Sequence, residues 1–104
     1  MRKLYWTGYC NKERSAAISE TEHIISSFGF ITDFKRFSDI SISMTIEIEE
    51  FKIDDLYIAL KNYLSLSDFE KLNSDSGNEC IIYLNTSFTR GTGDLLIEVP
   101  AVPG

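Results

Sequence analysis

Between residues 40 and 49 apolar and polar positions alternate without a miss. Ile40, Ile42, Met44, Ile46 and Ile48 stand against Ser41, Ser43, Thr45, Glu47 and Glu49. A period of two held this long predicts a strand with one dry face and one wet face. Residues 3–10 show the same pattern, with Leu4, Trp6 and Cys10 on one side and Tyr5, Thr7 and Tyr9 on the other. Residues 79–89 repeat it, placing Cys80, Ile82, Leu84 and Phe88 opposite Tyr83, Asn85 and Ser87. Elsewhere the spacing becomes helical. Ala17, Ile18, Thr21, Ile24, Ile25 and Phe28 predict a helix over 12–28. Asn11 is its expected N-cap, Glu13 lies in the first turn where the dipole favours an anion, and Gly29 reads as the left-handed residue past its end. Ile53, Leu56, Tyr57, Leu60, Tyr63 and Leu64 predict a second helix over 53–65, opened by Asp54 and Asp55. Ser67-Asp68-Phe69-Glu70 matches a capping box and predicts a short extra helix at 68–72. Residues 73–78 are a loop by composition, 90–94 a turn, and 95–99 a last strand.

Residues 30–37 read as a strand before the clearest one. A two-residue loop at Ser38-Asp39 would pair Lys35 with Ile42 and Asp33 with Met44, turning both charges towards the core and Phe34 towards water. A one-residue slip exchanges the faces, so a three-residue loop or a bulge is expected here; the other solution leaves Phe34 on the wet face under some cover. The order β-α-β-β-α-β then implies an α+β chain with a single domain over 1–104. Its topology resembles the ferredoxin-like fold: a four-stranded antiparallel sheet, order 4-1-3-2, with both helices on one face, plus a C-terminal hairpin strand. In that arrangement strands one and three are central. The back of the sheet carries Tyr5, Thr7, Tyr9, Ser41, Ser43, Thr45, Glu47, Tyr83, Asn85 and Ser87.

Composition narrows the choice of partner. Lys and Arg total 10 against 16 Asp and Glu, a formal charge of −6, which argues against nucleic acid because binding it means neutralising phosphates. No apolar run has the roughly 18 residues of a membrane span. Residues 1–6 turn polar too soon for a secretory signal, so no membrane partner and a cytoplasmic location are expected. Cys10 and Cys80 have no CxxC spacing; buried free thiols are expected, with a Cys10–Cys80 disulfide the lesser reading.

The ferredoxin-like resemblance carries no activity by itself, and several of its families need residues that are missing. The strand 40–49 lacks the base-stacking aromatics of RNA-recognition modules, Cys10 stands without the second cysteine of copper chaperones, and two cysteines are too few for an iron–sulfur ferredoxin. Gly8-Tyr9-Cys10-Asn11-Lys12 has only a faint likeness to the acylphosphatase phosphate loop. The Asp-Pro-Gly start of regulatory modules of the ACT type is absent. Tyr5-Trp6-Thr7-Gly8-Tyr9, Phe37-Ser38-Asp39-Ile40-Ser41-Ile42 and the ending Glu98-Val99-Pro100-Ala101-Val102-Pro103-Gly104 resemble a family of small uncharacterised bacterial proteins, a resemblance that implies no known activity.

Single residues add little chemistry. His23 is the one histidine and reads as a helix surface residue. A Cys10–His23 nucleophile pair would span opposite ends of the first helix, about 20 Å at 1.5 Å per residue. Residues 91–94 precede a strand, not the helix a phosphate loop requires. Glu47, Glu49 and Glu50 read as a solvated strand end, with a divalent-cation site the lesser account. No cofactor or metal is expected. The preferred reading is a non-enzymatic binding or regulatory module that self-associates as a homodimer and takes a small polar molecule or a protein. An acidic partner that masks a basic protein, like an immunity protein or antitoxin, is the second reading. A small hydrolase or lyase using Tyr9, Glu47 or Asp39 is the third.

Overall fold

A computed structural model describes residues 1–88, and the alternating segments in it are strands. β1 (Arg2–Cys10) leads to α1 (Arg14–Ser26), then to the hairpin of β2 (Gly29–Ser38) and β3 (Ser41–Glu49). A 3-10 turn (Glu50–Lys52) enters α2 (Ile53–Lys61), followed by β4 (Ser65–Leu66), a long segment without regular structure and β5 (Glu79–Phe88). The fold is α+β, with two α-helices and one five-stranded sheet of order β2-β3-β5-β1-β4. The predicted strand at 95–99 and the turn at 90–94 lie outside the described residues.

One face of the sheet is dry. Trp6, Cys10, Ile42, Met44, Ile46, Ile48, Cys80, Ile82, Leu84 and Phe88 are buried with Ala17 and Ile25 of α1 and Ile53, Leu56, Tyr57 and Leu60 of α2. Both helices therefore cover that face, as the alternation required.

The strand order corrects the ferredoxin-like expectation. β1 and β3 are not neighbours, because β5 lies between them, parallel to β1 and antiparallel to β3. In the 4-1-3-2 arrangement the last strand would run antiparallel to β1 on its outer side. Here, among the described residues, only the two of β4 do so, pairing Gly8 with Leu66 and Tyr9 with Ser65. The chain then returns along the sheet before the last strand begins. Glu50 N–H donates to Asn78 and Phe51 N–H to Ser76, at 2.9 and 3.0 Å, which starts β5 beside the end of β3. Its sequence suits the central position. Cys80-Ile81-Ile82-Tyr83-Leu84 is apolar without a break, and Cys80, Ile82 and Leu84 have no exposed surface.

Four local expectations also change. α2 stops at Lys61 instead of 65 because Leu64 turns into the core and the next two residues join the sheet. Residues 68–72 are not helical. Asp54, in the first turn of α2, accepts the N–H groups of Leu72 and Asn73, each at 2.9 Å, and Phe69 is held between Trp6 and Tyr57. These tertiary bonds outbid the local capping box. At α1 the N-cap is Glu13, not Asn11. Its carboxylate accepts from Ser15 and Ala16, and those two bonds hold its pKa below the usual range. Gly29 is not left-handed; it is needed because a Cβ there would stand 2.5 Å from the Glu47 carbonyl oxygen across the hairpin.

The hairpin conflict resolves by bulges, one between Ile31 and Asp33 and one between Arg36 and Ser38. Phe34 then lies opposite Met44 on the dry side, and Asp33 and Lys35 lie opposite Thr45 and Ser43 on the wet side. Buried Arg14 pins the turn to α1, donating to the Asp39 carbonyl and carboxylate, both at 3.3 Å.

Candidate functional site

The face of the sheet away from the helices collects the expected residues in rungs. Reading across β1, β5, β3 and β2, the register lines up Lys3, Ile81, Glu47 and Phe30, then Tyr5, Tyr83, Thr45 and Asp33. Next come Thr7, Asn85, Ser43 and Lys35, and finally Tyr9, Ser87, Ser41 and Ser38. Residues directly opposite each other on adjacent strands have Cβ atoms about 5 Å apart, so each rung is a continuous strip of side chains. Because β5 is central, the column Tyr83, Asn85, Ser87 separates the tyrosines of β1 from the hydroxyls of β3. Sequence reasoning put those two columns in contact; it identified the face but not the neighbours.

The middle of this face is ordered by aromatic contact. Tyr5 and Tyr83 stack at 5.0 Å between centroids with 17° between planes, while Tyr5 remains 72% exposed. Ser41, Ser43, Thr45, Glu47 and Tyr83 are half-buried among their neighbours, and Thr7, Tyr9, Asn85 and Ser87 are exposed. The two described helices pack on the opposite face. Lys35 and Asp33 stand 3.9 Å apart at the β2 side.

One end of the face is acidic. Glu49 lies directly opposite Glu79, next to Glu47, and Lys52 meets Glu49 at 3.1 Å. A cleft of about 200 Å³ opens there, bounded by Phe30, Glu47, Glu49 and Glu79. The acidic run is split: Glu50 turns away to Arg2, at 3.7 Å, and to the Cys80 thiol, at 3.6 Å. Burial, then the hydrogen bond to Glu50 and its charge, push the Cys80 thiol pKa up, which favours the neutral, unreactive thiol. A second cleft, about 260 Å³, lies past the other end of β1 between Lys12, Lys61 and Tyr63. Burial, with smaller contributions from Cys10 and Glu20, raises the Tyr63 pKa.

The candidate catalytic residues are kept apart. Glu47 and Tyr9 occupy the first and last rungs, roughly 20 Å from each other at ~3.3 Å per residue. Asp39 is in the β2–β3 turn, held by Arg14. His23 is exposed on α1 and Cys10 is buried at the end of β1. Cys10 and Cys80 are both free and buried. They face opposite ends of β1, roughly 26 Å apart at ~3.3 Å per residue, so the disulfide reading is corrected. Among the described residues no three His, Cys, Asp or Glu side chains gather as a metal-holding group. None of the described helices is long and apolar enough to cross a membrane.

Comparison with protein-family models, curated proteins and solved structures finds no match to this chain.

Proposed function

We propose that the protein is a non-enzymatic recognition module whose open sheet face docks a protein partner. The observation that carries this reading is the four-rung array itself. It presents Tyr, Ser, Thr and Asn side chains on one sheet face, among them the stacked Tyr5–Tyr83 pair, whose Tyr5 is exposed. Tyrosine offers large contact area with few rotatable bonds, and Ser and Asn supply adaptable hydrogen bonds; protein-binding surfaces use this mixture. Sites for small molecules are concave. The clefts described above lie at the strand ends rather than on the centre of the face. The array measures roughly 20 Å along the strands and 15 Å across. That area favours a contact at the small, transient end of the size range.

The charge distribution supports a narrower second reading, a partner that is basic where it meets the acidic end. Glu47, Glu49 and Glu79 converge there beside exposed Phe30, a combination suited to an Arg or Lys side chain. Masking of a basic protein belongs to this reading.

Photo-crosslinking tests the proposal in the cells that make the protein. A benzophenone side chain replaces Tyr83 and, as a control, Glu22 on the exposed side of α1. The expected result is a discrete adduct with one second protein at position 83 and not at 22. Matching adduct patterns at the two positions, or none at 83, would overturn the proposal. Loss of the adduct in moderate salt supports the basic-partner reading.

A further inference from the structure

Among the described residues β2 is an edge strand, ten residues long, and from Thr32 to Ser38 each of its residues is exposed. Its outer backbone groups face away from β3. Phe30 and Phe37 are 76% and 67% exposed, and Phe34 is 38% exposed at the rim of the dry layer. A long edge with this much exposed aromatic surface is a template for strand addition.

We propose that β2 pairs antiparallel with β2 of a second copy of this chain, on a twofold axis through Phe34. Charge selects both occupant and register. Between the two bulges, residues 33–36 form a regular stretch paired in sequence with Thr45, Met44, Ser43 and Ile42. In an antiparallel pair, opposed residues must direct their backbone groups alike, so symmetric registers differ by steps that move the axis one residue. With the axis at Asp33, that carboxylate opposes its own copy. With the axis at Lys35, two ammonium groups oppose each other. Only the axis at Phe34 sets each Asp33 against a Lys35 of the other copy. It also sets Phe34 against Phe34, extending the dry layer beside Met44. Opposite charges and aromatic pairs across strands stabilise, and like charges directly opposed destabilise. The axis stands perpendicular to the sheet, so the two open faces would lie on the same side of one continuous sheet. The inference concerns the edge and does not depend on what the open face recognises.

Charge reversal tests it in the full chain by sedimentation equilibrium. Asp33 and Lys35 are exposed and no core contact depends on them, so the variants fold, which far-UV circular dichroism verifies. The wild-type chain is expected to be a dimer in reversible equilibrium with monomer. Lys35→Asp, which opposes carboxylates twice across the axis, should raise the dissociation constant at least about tenfold. The double variant Asp33→Lys, Lys35→Asp restores the opposition and should return the constant to within about threefold of wild type. A wild-type chain that stays monomeric at its solubility limit would overturn the proposal. A dimer indifferent to Lys35→Asp, or one the double variant fails to restore, would overturn it too.

Discussion

The two edges of the sheet are treated in opposite ways. At the β1 edge the chain folds back over its own strand. β4 supplies two residues of pairing, and Ser67 closes the exchange, its N–H donating to Thr7 O at 2.8 Å and its hydroxyl accepting from Thr7 N–H at 3.0 Å. Phe69 completes an aromatic trio with Trp6 and Tyr57, and the Tyr57 hydroxyl donates to Ser67 O at 2.7 Å. The absent side chain of Gly8 leaves the space that Leu64 and Leu66 occupy. At the β2 edge the strand is longer, bulged twice and exposed along most of its length. One edge spends core residues to prevent further pairing. The other keeps only charges and bulges, devices that limit indiscriminate pairing without covering the strand.

That contrast predicts an ordered series of effects. The largest is at the sealed edge. Trp6→Ala empties the centre of the aromatic trio and should cost about 3–5 kcal/mol. Against a total of about 5–10 kcal/mol for a domain of this size, most of the stability is lost, and urea unfolding followed by far-UV circular dichroism would measure it. Asp54→Ala comes next. It removes the acceptor of two backbone N–H groups and should cost about 2 kcal/mol. The return segment should loosen ahead of the sheet, and Trp6, the chain's one tryptophan, should report this as a red shift in emission before the far-UV signal changes.

Acid should act between these extremes, through α1. Glu13 holds its proton less tightly in the folded chain than in the unfolded one, so the unfolded chain takes up more protons as pH falls. The stability from this cap is complete above the usual glutamate pKa of about 4.5 and is lost as pH falls through the lower folded value. Replacing Glu13 by Gln should flatten that part of the stability-versus-pH curve, which urea titrations from neutral pH to pH 3 would reveal. The smallest effect belongs to the open edge: Phe37→Ser should change the stability of the monomer by no more than about 0.5 kcal/mol. A larger loss at Phe37 than at Asp54 would break the comparison of edges.

How much of this was legible in the sequence depends on the distance over which each feature is decided. Alternation is a local property, so β1, β3 and β5 and the face to which Tyr5, Ser43 or Tyr83 belongs were readable from Ile40–Glu49 and its two counterparts. Alternation says which face a residue takes, not which strand lies beside it. The central place of β5 depends on where residues 67–78 return the chain, through bonds between residues far apart in sequence such as Asp54 to Leu72. A signal was present: the unbroken apolar run 80–84 suits a strand flanked on both sides. The capping box at residues 67–70 misled because Phe69 and the amides of 72 and 73 had tertiary partners. The bulges in β2 were foreseen from the clash of faces around Phe34, although their positions were not.

Amide hydrogen exchange, residue by residue and at two protein concentrations, tests the central asymmetry most directly. The account predicts slow exchange for Thr7 and Ser67 at both concentrations. It predicts that the outward-facing amides of β2 exchange fast in dilute solution and slow when concentrated. Outward β2 amides as protected in dilute solution as those of Thr7, or equally fast at both concentrations, would contradict it.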